Sequence, residues 1–259
     1  MITNAKNNFV GLYTIVRREL IRIMRIWPQT LLPPAITTCL YFLIFGSLIG
    51  RQIADIHGVT YVQYITPGLI MLAVINNSYS NVVTSFFGAK FQRHIEELLV
   101  SPLPNIYILT GYVLGGVVRG ILVGVIVTIV GLFFSKIAIQ HIFLMSYVVV
   151  MTSILFSVSG FLNGIFAKKF DDTSIIPTFL LTPLTYLGGV FFSSAMLPPL
   201  GQKLALLNPI YYTISAFRYG FLGIEEINIT LSITILTILT IILFSYALYL
   251  LNKGFGIRN

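Results

Sequence analysis

The chain has 259 residues, of which 56% are hydrophobic and only 9% are charged, and its formal net charge is +8. An ordinary soluble domain carries about 25% charged residues, and a soluble fold could not hide this much apolar surface from water. The composition therefore excludes a soluble enzyme, a disordered chain and a nucleic-acid-binding domain, and it indicates that the basic excess reflects membrane topology.

The first predicted element is an amphipathic helix over residues 8–27. Apolar residues recur there at steps of three and four, whereas Arg18, Arg22 and Arg25 fall on another face. A helix of this kind lies in the membrane interface, where its arginines meet anionic lipid head groups or a cytoplasmic partner. A basic anchor that only sets topology explains the same pattern, and both interpretations stay open.

Six transmembrane helices are predicted from long apolar stretches, because a span needs about 20 mostly apolar residues. They cover approximately residues 29–50, 61–84, 107–134, 143–167, 174–195 and 230–251. The predicted fold class is therefore an all-α polytopic membrane protein. When the N-terminus is placed inside, eleven of the 16 Lys and Arg residues fall on the inner side, which predicts that both termini are cytoplasmic. The basic residues on the outer side are Arg51, Lys136, Lys203 and Arg218.

The inner loop after the second span is predicted to contain a short amphipathic helix over residues 90–100. Its apolar face holds Phe91, Ile95, Leu98 and Leu99, and its charged residues include Arg93, Glu96 and Glu97. The prolines that follow end the helix, because proline lacks an N–H and restricts its predecessor. A structured helix with both charge signs suits a protein partner, and an interfacial linker helix is the alternative.

Arg119 is a charged residue inside the predicted third span. An unpaired charge at that depth is costly, so Arg119 must snorkel, face water or reach one of three asparagines, Asn76, Asn77 or Asn163. A place in a transport pathway and a purely structural polar network are equally good interpretations. The glycines of the same span, such as Gly111 and Gly115, favour close helix packing within one subunit over a dimer seam.

The outer segment over residues 196–229, before the last span, is long, mostly apolar and broken twice. Asn208 can cap a helix that has Pro209 at its first position. This pattern predicts re-entrant helices that dip into the outer leaflet.

Motifs for energy input and catalysis are missing from the sequence. It has no phosphate-binding loop, no zinc-protease motif and no nucleophile elbow. The predicted spans contain no acidic residue that could relay protons or hold sodium. No catalytic, metal-binding or cofactor-binding residue is therefore predicted, and a membrane machine of this kind borrows its energy from a partner.

Several segments, in order, resemble ABC-2 type transport permeases. Residues 87–104 resemble the coupling-helix region of that family, and residues 167–173 and 181–193 resemble its second inner loop and fifth span. Residues 197–200, 207–211 and 217–223 are similar to its outer re-entrant segment. The early run at 24–34 resembles the YadH-like bacterial subgroup.

The resemblance implies a multi-pass permease of the bacterial inner (plasma) membrane that forms the translocation pathway of an ATP-binding cassette exporter. Two copies of the permease would pair in the lipid bilayer, and two copies of a cytoplasmic ATPase subunit, which holds ATP and Mg, would drive them. The coupling residues would be Arg93, Glu96 and Glu97, with Phe91 and Leu98 beside them. A self-sufficient channel or facilitator is the alternative function.

Overall fold

The computed structural model describes residues 5–50, 55–135 and 139–256, and most of that part of the chain is helical. No β-strand occurs among these residues, where only an isolated bridge pairs Ile56 with Val59. The all-α fold class is thus confirmed for the described ranges. The helices are α1 (Ala5–Arg25), α2 (Trp27–Tyr41), α3 (Tyr61–Phe91), α4 (His94–Val100), α5 (Asn105–Phe134), α6 (Ile142–Phe166), α7 (Asp172–Ile176), α8 (Thr182–Leu187), α9 (Pro199–Leu206), α10 (Pro209–Leu222) and α11 (Ile229–Lys253).

Four helical stretches are long and apolar enough to cross a membrane. They are Trp27–Gly46, Asn105–Phe134, Ile142–Phe166 and Ile229–Lys253. The first of them includes part of a π-helical segment, Phe42–Ile49, that continues α2. These four stretches correspond to the first, third, fourth and sixth predicted spans.

Helix α3, the counterpart of the second predicted span, lies at the centre of the molecule. Its 31 residues pack mainly between α5 and α6, and most of them are buried. Because its neighbours shield it, α3 can carry buried polar residues such as Asn77, Ser78 and Asn81. Close packing is made possible by small residues: Gly160 of α6 touches the Tyr79 carbonyl of α3 so closely that a Cβ would collide with it.

The fifth predicted span, over residues 174–195, is shorter than expected. Helix α7, a π-helical turn (Pro177–Leu181) and α8 follow one another, and the last helical residue is Leu187. The chain then turns at Gly188 and Gly189, and Gly189 has a φ of 77°, which favours glycine. The predicted helix over residues 188–195 is therefore wrong, because this glycine pair ends it.

The predicted outer segment folds into α9 and α10. The Asn208 side chain accepts a hydrogen bond from the Ile210 N–H at 3.0 Å, and Pro209 occupies the first turn of α10. This confirms the predicted cap at Asn208. Helix α10 is buried along most of its length and packs against α3, α6 and α11, so it belongs to the core.

Candidate functional site

The segment predicted as one helix over residues 90–100 is divided by a turn. Helix α3 continues to Phe91, and α4 begins only at His94. Between them Arg93 takes the left-handed backbone conformation, with a φ of 62°, and its N–H donates to the Lys90 carbonyl at 3.0 Å. The structure corrects the prediction: the left-handed residue ends α3, so Phe91 and Leu98 lie on two different helices.

Helix α4 presents its charged residues outward. Ile95 is buried and Leu98 is half-buried, whereas Arg93, Glu96 and Glu97 are exposed. Among the described residues, none pairs with the carboxylate of Glu96 or Glu97. The helix is thus fixed on its apolar side, and its two acidic side chains are available to another molecule.

The end of α3 that precedes α4 is held firmly to α6. Lys90 Nζ donates to the last carbonyl groups of α6 and to the residue after it, namely Gly164 at 3.3 Å, Ile165 at 2.6 Å and Ala167 at 2.7 Å. Burial, with a smaller effect of Lys168, lowers the pKa of the Lys90 ammonium. The ring of Phe91 also packs on Phe170, with centroids 4.8 Å apart. A force on α4 would therefore reach α3 and α6 together.

A short loop joins α6 to α7, and the predicted site residue Asn163, in the last turn of α6, contacts the start of α7 across it. The Asn163 side-chain amide donates to the Thr173 carbonyl at 2.9 Å. The Asp172 carboxylate accepts the N–H groups of Lys168 and Lys169 at 2.8 and 3.0 Å, and these hydrogen bonds lower its pKa. Asn163 thus stabilises this loop and does not contact Arg119.

Helix α1 contains a buried acid that sequence reasoning missed. Glu19 is 1% exposed and lies against Gly115 of α5, where only a glycine leaves room for it. Its carboxylate accepts hydrogen bonds from Arg22 at 2.8 Å and from the Ser85 hydroxyl of α3 at 2.6 Å. The i, i+3 spacing of Glu19 and Arg22, together with the glycines of α5, was the available sequence signal.

The arginines predicted on α1 differ in their surroundings. Arg18 donates to the Tyr112 hydroxyl at 2.7 Å, and Arg22 also donates to the Asn81 side-chain oxygen at 2.7 Å. Arg25 is exposed. Two of the three arginines therefore bind α1 to α3 and α5, which adds an internal role to the predicted contact with lipid or partner.

Arg119, near the middle of α5, has one hydrogen-bond partner among the described residues. Its Nη2 donates to the Asn77 side-chain oxygen at 3.2 Å, and its buried Nε has no acceptor there. Of the three predicted asparagines, Asn77 binds Arg119, Asn76 lines a cavity together with Arg119 and Asn77, and Asn163, at the end of α6, contacts Thr173 instead.

We call this cavity the Arg119 cleft: a space of about 310 Å³ between α2, α3 and α5 that Arg119, Asn76, Asn77, Thr30 and Thr37 line with other residues. A further cavity of about 170 Å³ adjoins it, because Tyr41, Leu72 and Asn76 line both. The cleft is polar at a place where the surrounding helices are apolar.

The backbone of α2 adds to that polarity. Pro33 and Pro34 lie inside the helix and line the cleft. Because proline has no N–H, neither residue can donate a hydrogen bond to the carbonyl group one turn earlier, which is that of Gln29 for Pro33 and that of Thr30 for Pro34. Both of these residues also line the cleft. The α2 segment continues into a π-helical stretch, a feature that is frequent at functional sites.

A second arginine, Arg218 of α10, is fully buried beside a carboxylate, while its Nε, like that of Arg119, has no acceptor among the described residues. Its Nη1 donates to the Glu226 carboxylate at 2.8 Å and its Nη2 to the Gly189 carbonyl at 2.6 Å. The guanidinium lies 4.0 Å from the ring centroid of Tyr64, whose hydroxyl donates to the other Glu226 oxygen. Arg218 was predicted only as an outer basic residue, whereas the structure makes it the centre of a junction between α3, α10 and the turn after α8.

Metal-ligating side chains do not converge anywhere in the described ranges. No group of three or more His, Cys, Asp or Glu residues there is placed to hold a metal ion. The chemistry that these residues do offer is recognition: free carboxylates on α4 and a cationic, polar cleft within the helical bundle.

Comparison with known proteins places these features in a family. The family model for ABC-2 type transporters matches residues 11–222, which include α4 and the residues of the Arg119 cleft. The chain is 53% identical over 251 residues to the inner membrane transport permease YadH of Escherichia coli strain K12, covering 97% of this chain and 98% of that protein.

More distant relatives are similar over most of their length. Nodulation protein J of Rhizobium leguminosarum bv. viciae is 24% identical over 218 residues, which is 83% of each chain. Nodulation protein J of Neorhizobium galegae is 21% identical over 238 residues, covering 92% of this chain and 91% of that protein.

Proposed function

Because this chain belongs to the ABC-2 type transporter family and is a membrane transport permease, we propose that it forms the translocation pathway of an ATP-driven exporter as a homodimer. A separate cytoplasmic ATPase subunit, present in two copies, binds ATP and Mg and supplies the energy. The permease itself binds no cofactor, carries out no catalysis and does not contact nucleic acid.

The observation that carries this proposal is the state of α4. Its apolar residue Ile95 is buried in the permease, while Glu96 and Glu97 are exposed and without a partner among the described residues. If α4 contacted only lipid, its two free carboxylates would contribute little to its binding. A basic groove on a soluble subunit would bind the two carboxylates and fix α4 as a rigid element.

The connections of α4 suit the transfer of motion. The left-handed residue Arg93 connects α3 directly to α4, and Lys90 binds the end of α3 to the end of α6. A displacement of α4 would therefore move two long helices at once. Coupling of this kind requires that the ATPase contact α4 differently in two states.

The membrane arrangement completes the proposal. Six spans cross the bacterial inner membrane, with α3 and the α7–α8 unit added to the four apolar stretches, and both termini lie in the cytoplasm. Many apolar side chains on α2, α5 and α11 are exposed, as surfaces facing lipid or a second copy require. The name of the relative from Escherichia coli supports the inner membrane as the location.

The test is to purify the chain together with the ATPase encoded beside it and to measure complex formation and ATP hydrolysis. Replacing both Glu96 and Glu97 with Lys should weaken the complex by at least about tenfold, because two favourable charge pairs become repulsive. Asp55→Ala, which removes an exposed carboxylate far from α4 in sequence, is the matched control and should leave the complex unchanged.

Two results would contradict the proposal. Normal assembly of the charge-reversed variant would exclude α4 as the docking element. Conductance through liposomes that contain the permease alone would instead favour the self-sufficient channel.

A further inference from the structure

The Arg119 cleft holds a cation without a neutralising anion. The residues that line it include no Asp or Glu. Arg119 donates one hydrogen bond to a neutral amide, that of Asn77, and its buried Nε has no acceptor in the described part of the chain. A charge in this position is unfavourable for folding, so its presence calls for a function.

Glu19, an acid that packs on α5 near the cleft, is already paired with other residues. Glu19 packs against Gly115, one helical turn before Arg119, but Arg22 and Ser85 bind its carboxylate. The guanidinium of Arg119 therefore keeps the capacity to bind an oxyanion at two points through its terminal nitrogens, because Nη2 makes a single hydrogen bond and Nη1 has no acceptor among the described residues. Such two-point binding is the mode in which arginine recognises phosphate and carboxylate groups.

The two ends of the cleft differ in character. The cavity that contains Arg119 has hydroxyl and amide groups in its walls, including those of Thr30, Thr37 and Asn76, beside apolar residues. Toward the adjoining cavity the walls become aromatic: Tyr41 and Phe191 lie with ring centroids 5.4 Å apart, and Tyr186 packs on Phe191 at 6.1 Å. A charged cavity beside an aromatic one fits a molecule with a charged group and an apolar body.

We propose that the Arg119 cleft binds an amphipathic anion, with its phosphate, sulfate or carboxylate group on Arg119 and its apolar body along Tyr41 and Phe191. This inference rests on the proposed function, because it gives the chemical class of compound that the permease accepts. The same chemistry occurs in a transported amphiphile and in an anionic membrane phospholipid. Either source supplies the oxyanion that the cleft lacks.

The test measures binding of radiolabelled decyl phosphate to the full-length chain in nanodiscs of phosphatidylcholine, with empty nanodiscs to subtract partitioning into lipid. Unlabelled decyl phosphate should displace the label, whereas decyl maltoside and decyltrimethylammonium, which share its tail, should displace it at least about tenfold less well. Equal displacement by the cationic amphiphile would overturn the proposal.

Variants identify Arg119 as the anion-binding group. Arg119→Gln should weaken binding about tenfold, and Arg119→Lys should fall between this variant and the wild type, because lysine keeps the charge but loses the fork. Lys203→Gln, which removes an exposed positive charge on α9, is the matched control and should bind normally. Unchanged binding by a folded Arg119→Gln protein would overturn the proposal.

A second variant guards against a folding defect. Asn77→Asp keeps Arg119 but places a carboxylate at its hydrogen-bond partner, so decyl phosphate should bind more weakly to this variant as well. If Arg119→Gln does not fold, undiminished binding by Asn77→Asp would overturn the proposal in its place.

Further arms separate the sources of the anion. Nanodiscs that contain phosphatidylglycerol should compete with decyl phosphate if a membrane lipid occupies the cleft, and should not if the occupant is a transported compound; both results support an anion site. If inorganic phosphate displaced the label at the same concentration as decyl phosphate, the claim that the ligand needs an apolar body would be overturned.

The failure of this inference differs from the failure of the proposed function. Normal assembly with the ATPase but no anion preference would refute only the ligand class. Anion binding without any assembly would refute the ATP-driven exporter and leave the cleft as a binding site.

Discussion

Arg119 and Arg218 are both cations on helices of the bundle, one half-buried and one fully buried, yet their surroundings are opposite. Arg218 is fully buried and is neutralised by Glu226, a backbone carbonyl and the ring of Tyr64. Arg119 faces a cleft, and its one hydrogen-bond partner in the described part of the chain is the neutral Asn77. One charge is satisfied within the subunit, and the other is left available.

The comparison teaches how to separate a structural charge from a functional one. A charge that is fully paired in the folded chain stabilises one arrangement, and losing one partner leaves the other buried and unpaired. A charge that remains incompletely paired beside a cavity reduces the stability of the fold. Its presence therefore indicates that it binds a ligand.

Glu226→Ala should be the most destabilising change. It leaves Arg218, which is 0% exposed, without its counter-charge and removes the acceptor of the Tyr64 hydroxyl. Breaking a buried pair from one side costs about 3–5 kcal/mol in free energy of unfolding. Detergent-solubilised protein should accordingly unfold at a clearly lower temperature.

The neighbouring residue provides the control. Glu225 is exposed, and Glu225→Gln keeps an oxygen for the Ile229 N–H, so this variant should unfold like the wild type. If Glu226→Ala also unfolded normally, the pair would not be the structural element described here.

Replacing both charges should be less damaging than replacing one. The double variant Arg218→Met with Glu226→Leu leaves no unpaired charge, although the Gly189 carbonyl and the Tyr64 hydroxyl lose their partners. Its loss in free energy of unfolding should be about 2 kcal/mol, smaller than that of Glu226→Ala. A double variant as unstable as the single one would mean that the hydrogen bonds, and not the charge, carry the stability.

Much of this architecture was predictable from the sequence because apolar length and helix caps are local properties. The four apolar stretches and the cap at Asn208 follow from residues close together in the chain. The end of the fifth span was missed, because the apolar run on both sides of Gly188 and Gly189 outweighed the turn signal of the glycine pair.

The buried charges were harder to predict because their partners come from other helices. Arg218 was counted as an outer basic residue, since neither Tyr64 nor the Gly189 carbonyl is near it in sequence. Glu19 was overlooked among the arginines of an amphipathic helix, although the groove that receives it was visible as glycines in α5. Arg119 was predicted, because a charged residue within an apolar span can be recognised from the sequence of that span alone.

Asn77→Asp should make Arg119 resemble Arg218. The new carboxylate would lie at the position of the present amide oxygen, 3.2 Å from the guanidinium, and would neutralise it. We expect anion binding in the cleft to fall about tenfold, which corresponds to about 1.4 kcal/mol. Asn76→Asp is the control for added negative charge without the direct contact, and it should have a smaller effect, as measured by decyl phosphate binding.

Arg119→Leu should have the smallest effect on stability, and one of opposite sign. The variant loses a single hydrogen bond to Asn77 but removes a charge that no acid neutralises, so the free energy of unfolding should rise by about 1 kcal/mol. Thermal unfolding of the purified protein measures this change, and the same preparation should have lost its preference for anions. Destabilisation comparable to that of Glu226→Ala would contradict the division drawn between the two arginines, since Arg119 would then contribute to folding as Arg218 does. If Arg119 serves ligand binding and not folding, its removal should raise the stability of the protein and abolish its preference for anions.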